Sequence, residues 1–277
     1  LKRVTVTGVS NVTGYINPIH EIAKIVHKHN VKLLVDGAQL VPHMPVDMKP
    51  YDSLEHIDYL VFSAHKLYAP FGGGVLIGPK ATFEKGFPAY TGGGCVRLVT
   101  HDFGQWAQPP AKDEAGTPNV MSIVALVAAI KTLKNIGMQV IEEYERSLAK
   151  YALDRLKQVA DIETYACKQI DSKRLGIIPF NIKGIHHNIV AKVLSLEDGI
   201  AVRNGMFCAH PYAQKLLKLT AKEIDYFAKN SGVSFPGMVR ISFGLYNNHE
   251  EIERLIYAIN KICMNKDYYV KKYLSFH

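Results

Sequence analysis

The chain has 277 residues, 48% of them hydrophobic and 21% charged, with a formal net charge of +8. That apolar share builds a sizeable core and excludes a disordered chain, and the length allows one large domain or two smaller ones. The 33 basic residues are scattered, which reads as a solvated surface and not as a nucleic-acid module, and the longest apolar stretch, Met121 to Ile130, is too short to span a bilayer.

In chain order, Val4 to Thr7 alternates as a strand and Gly8 to Gly14 follows as a loop. Pro18 opens a helix whose apolar positions Ile19, Ile22, Ala23, Ile25 and Val26 keep helical spacing. The apolar run from Val31 to Val35 reads as a buried strand that delivers Asp36 to its end, with Gly37, Ala38 and Gln39 behind it. After a proline-rich connection, Ile57 to Phe62 reads as a second buried strand. It leads into Ser63-Ala64-His65-Lys66, then Pro70, Gly72, Gly73 and Gly74, before a short strand from Val75 to Ile77. This strand–helix–strand order predicts an α/β layer with a largely parallel sheet.

Residues 79–120 read as one long connection, followed by a helical pattern from about Val120 to Val159 that Gly137 interrupts. Beyond it, Leu175 to Ile182, Ile200 to Arg203 and Met238 to Phe243 read as strands. His186 to Leu196, Ala213 to Lys229 and His249 to Met264 read as helices, and the cluster from Lys266 to Lys272 as a tail. The expected organisation is a large α/β domain over residues 1–136 and a linking helix with a small α+β domain over 137–277. A sheet of so few strands has long open edges, so earlier strands are expected to precede Leu1.

The four cysteines, at 95, 167, 208 and 263, form no C-x-x-C, and no metal site is expected. With no signal-peptide pattern the chain reads as cytoplasmic. The histidines carry no motif: His27 and His29 do not share a helix face, and His186 and His187 read as surface or capping residues. The glycine triplets match no nucleotide-binding fingerprint, and there is no G-x-S-x-G elbow.

The informative pair is Asp36 and Lys66, each just past the end of a strand. In open α/β sheets, ligands bind outside the carboxyl ends of the strands. A strand-end lysine can condense with an aldehyde cofactor, and an aspartate on the pyridinium nitrogen makes pyridoxal 5'-phosphate an electron sink.

Val35-Asp36-Gly37-Ala38-Gln39 followed by Ser63-Ala64-His65-Lys66 resembles the signature of the class V aminotransferase family, whose members have the fold type I of pyridoxal phosphate enzymes. Ser10 to Gly14, Glu114 to Asn119, Arg203 to Ala209 and Val239 to Ser242 extend the resemblance along the chain, and the most similar members are the SufS-like cysteine desulfurases. The resemblance implies that Lys66 holds the cofactor and moves the α-proton. It implies that Asp36 pairs with the ring nitrogen, that Gln39 bonds the ring hydroxyl, and that Ser63 and His65 contact the phosphate. Thr117 would reach the phosphate of a neighbouring subunit, which implies a homodimer. Asn11 would lie near the ring oxygen and the substrate carboxylate, Arg240 would clamp that carboxylate, and Arg203 would assist. Cys208 would be the sulfur-accepting thiol, with L-cysteine as substrate, L-alanine as product and a sulfur-acceptor protein as possible partner.

Family members begin well before Leu1. The preceding part supplies a side chain stacked on the pyridine ring and a helix start on the phosphate, so cofactor binding by the chain alone is expected to be weak. Where the SufS-like enzymes have a histidine pair, this chain has Met206 and Phe207. The competing expectations are another class V reaction (transamination, racemisation or β-elimination) and a non-catalytic fragment.

Overall fold

The computed structural model describes residues 2–166, 171, 173–230 and 232–274, so Leu1 and Cys167 lie outside the described residues. The chain divides into two units: Leu1–Val9 with Asn17–Met138, and Ser10–Ile16 with Gln139–His277.

In the first unit, β1 (Arg3–Thr7), β2 (Lys32–Asp36) and β3 (Tyr59–Ser63) run parallel in that spatial order. On β2, Leu33 and Val35 are fully buried while Lys32, Leu34 and Asp36 are half-buried, the period of two that a pleated strand imposes. Helix α1 (Ile19–His27) buries Ile19, Ala23 and Val26, one stripe of its surface. The next strand, β4 (Gly74–Ile77), pairs with β3 antiparallel, because the stretch from Ala64 to Gly73 is too short for a crossover.

The stretch read as one connection has structure of its own: a short helix α2 (Lys80–Phe83) and a hairpin of β5 (Val96–Val99) with β6 (Gly104–Trp106). α3 (Val120–Ile136) is capped by Asn119, whose side chain accepts from the Ser122 N–H. It buries Ser122 and Leu133, while Val120, Met121, Ile123, Val124 and Val127 are exposed.

Gly137, at φ +98°, separates α3 from α4 (Met138–Leu156). The second unit has an antiparallel sheet in the order β7 (Ile162–Thr164), β8 (Ile177–Ile182), β10 (Met238–Ser242), β9 (Arg203–Gly205). Helices α4, α5 (His187–Asp198) and α8 (His249–Met264) supply the core around it with Leu148, Val190 and Ile259, against Ile178 and Phe180 of β8. The helix expected from Ala213 to Lys229 is two helices, α6 (His210–Leu216) and α7 (Ala221–Lys229). Thr220 and Glu223 form a reciprocal capping box that starts the second one afresh. The basic tail is helical as well: α9 (Lys266–Leu274) packs Tyr269 and Tyr273 into the core. The strand expected to begin at Ile200 begins at Arg203, and the one expected from Leu175 begins at Ile177. No single described helix is long and apolar enough to cross a membrane.

Candidate active site

Asp36 is the last residue of β2 and stands in register with Val61, two residues before the end of β3. Its backbone is locked from both sides: Gly8 N–H donates to the Asp36 carbonyl at 2.7 Å and Gly37 N–H to the Val61 carbonyl at 2.8 Å. Its Oδ1 accepts the Ala38 N–H at 2.9 Å, an Asx turn that carries the chain over the strand end toward the half-buried Gln39.

On the neighbouring strand, Ser63 is extended, and a 3-10 turn from Ala64 to Leu67 follows. His65 on that turn is exposed and Lys66 is half-buried. The turn ends at Tyr68 in the left-handed region, φ +61°, and Ala64 N–H closes the loop on the Gly73 carbonyl at 2.9 Å. The start of α3 pins the same loop: Asn119 Nδ2 donates to the Phe71 carbonyl at 2.6 Å. A Cβ on Gly73 would lie 2.0 Å from Ser122 Oγ, so only glycine permits this approach. Asp36, Ser63 and Lys66 therefore share the carboxyl edge of adjacent parallel strands, where the sequence places them. Thr117 is exposed in the bend just before the α3 cap.

The second unit holds Asn11, Arg203, Arg240 and Cys208. Asn11 Nδ2 donates to the Phe207 carbonyl at 2.7 Å, and the Asn11 carbonyl accepts from Arg240 Nη1 at 2.6 Å. Arg240, on β10, faces Arg203 in register on β9, and its guanidinium lies 5.1 Å from the centre of the Phe207 ring. Burial, and then the charge of Arg203, pull its pKa below the ordinary arginine value. Its Nε is buried with no hydrogen-bond partner, a donor left for an anion.

Met206 and Phe207 pack into a small core with Val12, Tyr165, Ala213 and Met238. Beyond them Cys208 is exposed; Phe207 (φ +55°) and Cys208 (φ +58°) both adopt left-handed backbone. That conformation costs roughly 1–2 kcal/mol per non-glycine residue. Gly205, at φ +101°, opens the turn, and a Cβ on the facing Gly237 would sit 2.7 Å from the Gly205 Cα. Of the other thiols, Cys95 is buried, and burial pushes the half-buried Cys263 up from its ordinary pKa.

Two groups of histidines mean more than their sequence positions indicate. His186 caps α5, as expected, but His187 is buried. Its Nε2 lies 3.1 Å from the Phe235 carbonyl and its Nδ1 3.1 Å from Asn204 Nδ2, so Nε2 carries the proton and Nδ1 accepts. This ties the strand that carries Arg203 to α5, and burial pulls the His187 pKa down to about 4. Asn204 lies within the Arg203–Ala209 motif, but a partner 17 positions away leaves no local signal. His27 joins His56 and Asp58, which are also remote from it in sequence.

The aminotransferase class V family model matches residues 1–255. A probable cysteine desulfurase of Halalkalibacterium halodurans is 40% identical over 268 residues, covering 97% of this chain and 59% of that protein. A cysteine desulfurase of Shigella flexneri is 38% identical over 260 residues, covering 94% of this chain and 58% of that protein. The apo structure of a cysteine desulfurase from Thermococcus onnurineus has a TM-score of 0.82 at 32% identity, covering 95% of this chain and 60% of that one. The chain thus spans about three-fifths of the length of the curated relatives it matches. A more distant neighbour, at 19% identity and a TM-score of 0.71, is described as carrying a glycine linked to its PLP cofactor and shares the fold. With most of its length matched by the family model and the same α/β architecture, the chain belongs to the aminotransferase class V family.

Proposed function

We propose that the protein is a pyridoxal 5'-phosphate enzyme that takes sulfur from L-cysteine, leaves it as a persulfide on Cys208 and releases L-alanine. The observation that carries the reading is the placement of Asp36, Ser63 and Lys66 together at the carboxyl edge of β2 and β3. The kinship with proteins named cysteine desulfurase supports the choice of reaction.

The donor set fits the cofactor. Lys66 offers an amine for its aldehyde, Asp36 a carboxylate for its ring nitrogen, and Ser63 and His65 polar side chains for its phosphate. When bound, the cofactor withdraws electrons from the substrate α-carbon. Lys66 Nζ holds it and moves the α-proton. The Asp36 carboxylate keeps the ring nitrogen protonated, since a nearby opposite charge favours the charged form, and Gln39 holds the ring hydroxyl. Arg240, with its buried unpartnered Nε, takes the substrate carboxylate, with Asn11 and Arg203 assisting. The Cys208 thiolate attacks the substrate sulfur: a sulfur–sulfur bond forms, the carbon–sulfur bond breaks, its electron pair stays with carbon, and a proton completes alanine.

Residues 1–136 serve as the cofactor domain, except that Ser10–Ile16 fold with the second unit, and 137–277 serve as the linking helix and small domain. Thr117, exposed at a bend, serves the cofactor phosphate of a second subunit in a homodimer. The persulfide passes to a sulfur-acceptor protein, and the setting is cytoplasmic.

The test is to load the protein with cofactor, add L-cysteine and follow alanine and protein persulfide. The parent is expected to form both. Cys208→Ala is expected to form neither while keeping the cofactor absorbance. Alanine release by Cys208→Ala at the parent rate would sink the desulfurase reading, and a parent that forms no lysine adduct even at saturating pyridoxal 5'-phosphate would sink the cofactor reading.

A further inference from the structure

The first sheet has a second cluster of reactive side chains, at the end opposite Asp36. His27 closes α1, Asp58 immediately precedes β3, and His56 stands two residues earlier. His27 Nε2 lies 2.8 Å from Asp58 Oδ2, and His56 Nε2 lies 3.4 Å from Asp58 Oδ1. The two imidazoles are stacked, ring centres 4.1 Å apart and planes 11° from parallel. The Asp58 side chain is only 2% exposed. Its Oδ2 accepts the Leu33 N–H at 2.8 Å, and Lys32 Nζ stands 3.3 Å from its Oδ1.

The hydrogen bonds fix where the imidazole protons are. His27 Nδ1 lies 2.8 Å from the Leu54 carbonyl and His56 Nδ1 lies 2.6 Å from the Ser53 carbonyl. A carbonyl oxygen only accepts, so each Nδ1 must carry a proton. A neutral imidazole has one N–H, so both Nε2 atoms then present lone pairs to a carboxylate that also only accepts. A second proton on His27 would satisfy one ring. A second proton on both would place two like charges in stacked rings out of water, which low dielectric penalises. The His56 Nε2 has no hydrogen-bond partner, although His56 is only 9% exposed. Three electron-pair donors within 4.8 Å of one another, with a buried one unpartnered, call for a cation among them.

We propose that His27, His56 and Asp58 form a binding site for a divalent cation of the zinc class. Two imidazole nitrogens and one carboxylate oxygen are the donor types that zinc takes. An Nδ1–H bonded to a backbone carbonyl, with Nε2 left for the metal, is how ligating histidines are commonly oriented. His27 Nε2 lies 2.8 Å from Oδ2 and His56 Nε2 3.4 Å from Oδ1 of the same carboxylate, and one ligand atom from each residue lies within 4.8 Å of the others, close to the roughly 3.3 Å between ligands held about 2.0–2.1 Å from a tetrahedral ion. Lys32 Nζ, 3.3 Å from Asp58 Oδ1, is the one cation now beside the carboxylate among the described residues; its side chain is 39% exposed and can turn to water. Water completes the fourth position. The ion ties the end of α1, the loop at residues 53–56 and the start of β3 into one unit, remote from the edge that carries Lys66.

The test uses the full chain with Cys208→Ser, so that the exposed thiol does not compete, after removal of metals by chelation. Zinc is titrated by calorimetry and cobalt by its visible absorption. One ion per chain is expected, with tetrahedral cobalt bands. His56→Ala is expected to weaken binding by roughly tenfold or more. His101→Ala, at an exposed histidine elsewhere, is expected to change nothing. Because His56→Ala could disturb the fold, ring-nitrogen NMR on the folded parent gives a second readout. On adding zinc, the Nε2 resonances of His27 and His56 should move to metal-bound values while both Nδ1 stay protonated. Binding that His56→Ala leaves unweakened in a folded chain, or Nε2 resonances that zinc does not move, would overturn the site.

Discussion

His187 makes the stability of the second unit depend on pH with a predictable sign. The residue is 6% exposed, and its Nε2–H and Nδ1 are both committed, to the Phe235 carbonyl and to Asn204. Burial is the dominant cause that pulls its pKa to about 4, opposed by the Phe235 hydrogen bond and aided by the neighbouring His186. Its ordinary value is 6.5. Above that value the side chain is neutral in both the folded and the unfolded chain and contributes no slope. Between pH 6.5 and about 4 the unfolded chain binds a proton that the folded chain does not. Stability therefore falls as the pH drops through this window, by about 1.4 kcal/mol per unit. The full window is worth about 3 kcal/mol, a large part of the roughly 5–15 kcal/mol typical of a domain. Denaturant unfolding at a series of pH values, for the parent and for His187→Gln, measures it. The glutamine variant is expected to start less stable, having lost fitted hydrogen bonds, but to show a slope shallower by about one proton between pH 4 and 6.5. Parallel curves for the two proteins would refute the assignment, because every other titrating group is common to both.

Two further outcomes follow from single placements. Incubation with pyridoxal 5'-phosphate, borohydride reduction and peptide mapping is expected to label Lys66; a label on another lysine with Lys66 unmodified would end the cofactor reading. Phe180→Ala, at a fully buried position on β8, is expected to cost about 3–5 kcal/mol of unfolding free energy by denaturant titration, and a loss below about 1 kcal/mol would contradict the core assigned to that strand.

The elements built by short-range rules were legible in the chain. The apolar run of β2 with its terminal Asp36 was read directly, and α8 was read with the bounds the structure gives it, His249 to Met264. The Lys66 turn was legible because glycines and proline bound it. The break between α6 and α7 was missed although its capping box, Thr220 and Glu223, is local; the other failures were set by partners far away in sequence. Residues 96–106 carry too little apolar alternation to announce a hairpin, and only the pairing of β5 with β6 makes them strands. The Lys266–Lys272 cluster read as a tail because its charges mask Tyr269 within it and Tyr273 just after it, both of which the core buries.

The sequence by itself therefore determined the ends of β2 and β3 that carry Asp36 and Ser63, and the order of the reactive residues, since each depends on neighbours a few positions away. Only the tertiary structure decided which histidines matter. His27, His56 and Asp58 meet because α1, the 53–56 loop and β3 pack at one end of a sheet, and His187 is neutral because α5 packs against β9. Burial and proton position are properties of those long-range contacts, and no local spacing encodes them.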